Sequence, residues 1–186
     1  MRNLLKYVGM SLLVVGLAAC DGKTDTTAVD NNASSQTSQG GETVALMGGK
    51  LSFTLPAGMT DKSDKLSAQT TNKHIYADES GQKAVIVIEG DSSKDSLDDL
   101  AKRLIAQQQS YSPQLQVVTN KAITVNNQPL QQLDTVINAN GQSVWSSLIL
   151  GKIDGKLLTL QITLPGDDQQ AAQTDAANIL QTLQLQ

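Results

Sequence analysis

Residues Val44 to Gln186 predict an α+β fold, an antiparallel β-sheet of about six strands flanked by helices. Three observations carry that expectation. Runs in which apolar and polar residues alternate recur along the segment, as in "KLSFTLPAG". Asn140-Gly141 and Asp154-Gly155 stand between consecutive runs and are strong signals for tight hairpins. At Leu97–Ile105 and again at Ala172–Leu183 the apolar period lengthens to that of an amphipathic helix.

Before that domain the chain opens "MRNLLKYVGMSLLVVGLAAC". Arg2 and Lys6 make a positive start, Tyr7 to Leu17 an apolar middle, and Ala18 and Ala19 a small-residue end. A spanning helix needs about 20 apolar residues, and this run is shorter. Residues 1–19 therefore read as a secretory signal peptide. Leu17-Ala18-Ala19-Cys20 also resembles the lipobox of bacterial lipoproteins, in which the cysteine receives a diacylglyceryl group and becomes the acylated N-terminus after cleavage. Cys20 is the single cysteine of the chain, so it has no disulfide partner within it. It is expected to be a lipid attachment point, since two or more acyl chains anchor a protein stably at about 0.8 kcal/mol per buried CH₂.

Residues 20–43 form the acylated cysteine and a polar tether rich in Thr, Ser, Asn, Gln and Gly. Val29 is almost the only large apolar residue after Cys20, and such a segment buries too little to offset the entropy of ordering. Asp21, Asp25 and Asp30 lack the spacing, the glycine and the terminal Glu of a calcium loop.

Within the domain, Leu51, Phe53 and Leu55 mark one strand, which Pro56-Ala57-Gly58 ends. "HIYAD", the turn "ESGQK" and "AVIVIEG" form a hairpin. Its second strand, Ala84 to Ile88, is apolar on both faces and is expected at the centre of the sheet. Leu97, Leu100, Ala101, Leu104 and Ile105 then make one helical stripe, with Ser96 and Asp99 placed as a capping box. On the opposite face Asp98–Lys102 and Asp99–Arg103 are spaced as ion pairs. Four further strands, Leu115–Val125, Gln131–Ile137, Ser143–Leu150 and Lys156–Leu164, follow as a meander. Asp167 and Asp168 precede the closing helix, where they favour the helix dipole. Its buried stripe is Ala172, Ala176, Ile179, Leu180 and Leu183.

Composition excludes several functions. The formal net charge is −4, the aromatic content 3%, and removal of Arg2 and Lys6 would make the chain more acidic. Nucleic acid, which asks for basic patches and stacking platforms, is a poor partner for such a domain. "GGK" at Gly48–Lys50 lacks the earlier glycine and the following Ser or Thr of a phosphate loop, and reads as a turn. His74 is the single histidine, which rules out a histidine-based metal cluster. No nucleophile-elbow motif accompanies it, and it reads as an exposed strand residue. Trp145 reads as a core or helix-covered residue. Asp98/Asp99 and Asp167/Asp168 are explained by helix starts, without glycosidase chemistry. No catalytic residue, metal or cofactor is expected.

The lipobox with Asp21, the polar tether, "LSFTLPAGMTD" and "VWSSLILGKIDGKLLTLQITLPG" before a final helix resemble the DcrB family of envelope lipoproteins, over essentially the whole chain. The resemblance implies a PsbP-like fold, an antiparallel sheet between helices. It also implies a non-enzymatic role in cell-envelope integrity, in lipoprotein maturation and in susceptibility to certain phages. It carries no ligand set. Asp21, directly after the acylated cysteine, resembles the signal that retains lipoproteins in the inner membrane, facing the periplasm. Gly22 departs from the strongest versions of that signal, which carry a further acidic or amide residue. The partners expected are membrane lipid through acylated Cys20 and other envelope proteins. The alternative function is a lipid- or small-molecule-binding module with a pocket between sheet and helix.

Overall fold

The computed structural model describes residues 41–65, 72–139 and 141–186. Among the described residues ten strands and two α-helices follow one another in the order β1 (Thr43–Leu46), β2 (Leu51–Thr54), β3 (Thr60–Asp61), β4 (Lys73–Ala77), β5 (Ala84–Gly90), α1 (Leu97–Tyr111), β6 (Gln116–Val125), β7 (Gln128–Ala139), β8 (Gln142–Ile153), β9 (Lys156–Pro165), α2 (Gln169–Gln181) and β10 (Gln184–Leu185). The fold class is α+β, as the patterning predicts.

Seven strands form one antiparallel sheet in the order β3-β4-β5-β9-β8-β7-β6. The meander β6–β9 and the hairpin β4–β5 are those expected, and β5 takes an interior place beside β9. Two of the meander's turns need backbone that few residues adopt. Asn126 and Asn127 have φ of 49° and 64°, and Asp154 and Gly155 have φ of 50° and 75°. Positive φ at both central residues defines the turn that matches the twist of a two-residue hairpin, and Asn, Asp and Gly tolerate it best. Asn140 lies outside the described residues. Where β9 ends, Gly166 N–H donates to Ser143 C=O at 2.8 Å. A Cβ on Gly166 would sit 2.8 Å from the Val144 backbone nitrogen, so only glycine fits.

The sheet count departs from about six strands in one sheet. β1, β2 and β10 form a separate sheet in the order β1-β2-β10. Neither β1 nor β10 is marked by a long alternating run; Thr43–Leu46 and Gln184–Leu185 are too short to show a period. Thr43, read as the last tether residue, pairs with Thr54. Leu183, read as part of the closing helical stripe, lies beyond α2, which ends at Gln181 with Thr182 as its cap. Leu183 is nonetheless buried, together with Leu185, because the chain turns into β10 and lays both against the core.

Both faces of the large sheet are covered, by different layers. On one face Ala101, Leu133, Leu148 and Leu150 form a cluster joined by Leu97, Leu100, Leu104 and Ile105 of α1. On the other, α2 and the small sheet close over Trp145, Ile149, Leu158, Leu160, Ile162 and Leu164. Val85 and Val87 of β5 are fully buried on that side. Ala84, Ile86 and Ile88, expected to be equally covered, are half-buried. The helix starts follow the expected chemistry. Ser96 caps α1 by accepting from Asp99 N–H at 3.1 Å, and Asp168 caps α2 by accepting from Ala171 N–H at 2.9 Å. The Asp99 carboxylate accepts from the Ser96 hydroxyl at 2.6 Å, so Asp99 is held at the cap. Arg103 accordingly pairs with Asp95 at 2.8 Å instead of Asp99, while Lys102–Asp98 forms as expected.

Candidate functional site

Cys20 and Asp21, the residues expected to anchor and sort the protein, lie outside the described residues, as do residues 1–19 and most of the tether. Within the domain the candidate site is a pocket of about 290 Å³ between α2 and strands β6, β7 and β8. The alternative function expects a pocket between sheet and helix, but the patterning names no residue as lining this one.

Register builds its floor. Lys121 on β6 stands opposite Gln132 on β7, and Asp134 two residues further on stands opposite Ser147 on β8. Side chains two apart on a strand share a face, so Gln132, Asp134 and Val136 point the same way. Val136 pairs with Trp145, which brings the indole into the same row. On the α2 side Gln173, Ala176, Ala177, Leu180 and Gln181 complete the lining. Ala176 and Ala177 are small, and that keeps space between helix and sheet.

The floor is polar where core packing would leave it apolar. Asp134 is 2% exposed. Its carboxylate accepts from Ser147 Oγ and, at 2.8 Å, from Gln132 Nε2. Burying a charged group is costly unless it is hydrogen-bonded or paired. Both of these donors are neutral, and among the described residues Asp134 takes part in no ion pair. Lys121, exposed at the pocket's side, takes part in none either. Trp145 is 1% exposed, and its Nε1–H finds no acceptor among the described residues.

The other residues weighed for chemistry have structural places. His74 is half-buried on β4 opposite Val87, and Gly48–Lys50 is a turn leading into β2. Trp145 is a core residue under α2, as expected, and it also lines the pocket. Among the described residues no group of three or more His, Cys, Asp or Glu side chains is placed to hold a metal. Among them, no helix is long and apolar enough to cross a membrane.

A family model described as DcrB matches residues 51–182, from β2 through α2. The chain belongs to the DcrB family. Inner membrane lipoprotein DcrB of Shigella flexneri is 58% identical to it over 186 residues, covering the whole of both chains. Among solved structures the fold is similar to that of cyanobacterial PsbP (CyanoP) from Synechocystis sp. PCC 6803. That likeness has a TM-score of 0.62 and 12% identity, covering 84% of this chain and 98% of the other. It is also similar to a point mutant of protein Mog1, with a TM-score of 0.56 and 12% identity over 77% of this chain and 95% of the other. At such identity these structures speak to fold alone. The DcrB domain is thus PsbP-like, the architecture its sequence resembles.

Proposed function

We propose that this DcrB-family protein is a lipid-anchored envelope protein of the inner membrane that acts through contacts and without catalysis. Its full-length similarity to a protein named inner membrane lipoprotein DcrB is the observation that carries the reading. The lipobox ending at Cys20 supplies the anchor, and Asp21 directs retention in the inner membrane with the domain facing the periplasm. On this reading the domain serves envelope integrity and biogenesis, including support of lipoprotein maturation and an effect on phage susceptibility. Tyr111, Val117 and Val118 are the exposed large apolar side chains among the described residues. Photocrosslinking in cells from those three positions tests the reading: envelope proteins captured there support it, and capture of soluble cytoplasmic proteins alone contradicts it.

A second reading, a binding module for a lipid group or small molecule, is favoured by the polar pocket beneath α2. Ligand pockets are typically about 300–1,000 Å³, so this one suits a compact ligand.

A further inference from the structure

The pocket beneath α2 brings together two groups of opposite charge that do not neutralise each other. Asp134 supplies a carboxylate at the floor, and Lys121 an ammonium at the side. Their strands place them on a diagonal: Lys121 faces Gln132, and Asp134 lies two residues beyond. Diagonal neighbours on a sheet stand about 7–8 Å apart, a separation that a short molecule can bridge. A carboxylate offers about four acceptor positions, and Asp134 uses two, for Ser147 and Gln132. Trp145 also lines the pocket, and its buried Nε1–H has no partner among the described residues. Ordinary core packing would fill such a space with apolar side chains; here Gln132, Gln173 and Gln181 surround it with amides that donate and accept.

We propose that this pocket binds a compact zwitterion, a primary ammonium joined by a short linker to a phosphate or carboxylate. The inference rests on the binding-module reading and names its ligand class. The ammonium donates to the free acceptor positions of Asp134, and the anionic end pairs with Lys121. A quaternary ammonium lacks the N–H donors that Asp134 requires. A pocket of about 290 Å³ has no room for an acyl chain as well, so a lipid would enter by its headgroup only.

Trp145 is the single tryptophan of the chain and lines the pocket, so its fluorescence reports occupancy directly. The full chain in detergent is titrated with phosphoethanolamine, ethanolamine, inorganic phosphate and hexanol. The full chain reconstituted into phosphatidylcholine vesicles, with and without phosphatidylethanolamine, gives the lipid arm. A saturable change with phosphoethanolamine, at least about tenfold tighter than with ethanolamine or phosphate, is expected. A change confined to the free compound identifies a soluble zwitterion, and one confined to phosphatidylethanolamine vesicles a headgroup; either supports the inference. Asp134→Asn, Lys121→Ala and the space-filling Ala177→Leu should each weaken the response about tenfold or more. If Asp134→Asn fails to fold, exposed Lys121→Ala still decides the charge requirement. Phosphate binding as tightly as phosphoethanolamine, or a response to hexanol alone, overturns the zwitterion and leaves a binding module. No saturable response in any arm overturns both.

Discussion

Phe53 of the small sheet meets Tyr76 of the large sheet edge to face, with ring centroids 6.0 Å apart and planes at 82°. The two rings join layers whose strands are not hydrogen-bonded to each other, and both side chains are buried. Aromatic pairs of this geometry add about 0.5–1.5 kcal/mol beyond area burial. Phe53→Ala should therefore cost about 3–5 kcal/mol, the range for deleting a buried ring. Denaturant melts of wild type and variant measure it, and a loss below about 1 kcal/mol would mean that Phe53 does not join the layers.

Tyr76 also makes stability depend on alkaline pH. Burial, followed by the negative charges of Asp61 and Glu42, pushes its phenol up to about 12 from 10.0. The folded state thus holds the proton more tightly than the unfolded chain. This contribution is fully present below pH 10 and is lost as pH rises from about 10 through about 12. Tyr76→Phe should remove that part of the alkaline loss while leaving stability at neutral pH little changed. Melting temperatures from pH 8 to pH 12 check it; parallel curves for both proteins would contradict it.

The C-terminal strand should matter despite its length. Leu183 and Leu185 are 2% and 3% exposed, and Leu185 N–H donates to Asn126 Oδ1 at 3.0 Å. A chain ending at Gln181 loses two buried leucines worth about 1.5–3 kcal/mol each. It should melt several degrees lower, by calorimetry, and expose apolar surface to a dye such as ANS. An unchanged melt would show β10 to be an ornament.

How far the fold is legible in the sequence depends on what each element leaves there. The meander is readable because each strand is long enough for alternation to show and Asp154-Gly155 announces its turn. α1 is readable because Leu97, Leu100, Ala101, Leu104 and Ile105 keep one face. The small sheet leaves little trace. Thr43–Leu46 and Gln184–Leu185 pair with β2 from opposite ends of the domain, and their burial is decided by that long-range meeting. Leu183 fits the helical stripe by spacing, yet Thr182 caps α2 and turns the chain first. The lining of the pocket is hidden for a related reason. Lys121, Gln132 and Asp134 look like the solvent-facing residues of alternating strands, and only the register and the placement of α2 turn them toward one cavity.

The described apolar core lies entirely beyond Gly41, and both faces of the large sheet are covered by elements of this same segment. Residues 41–186 expressed alone should show a single cooperative thermal transition without lipid. A broad, non-cooperative melt would mean that the preceding segment supplies part of the core.

Anchoring at Cys20 and retention through Asp21 are the centre of the account, and palmitate labelling combined with envelope fractionation tests them most directly. Wild type should carry the label and sediment with the inner membrane. Cys20→Ala should lose the label, whereas Asp21→Ser should keep it and move to the outer membrane. Unlabelled wild-type protein would contradict the anchor, and labelled wild type in the outer membrane would contradict the sorting role of Asp21.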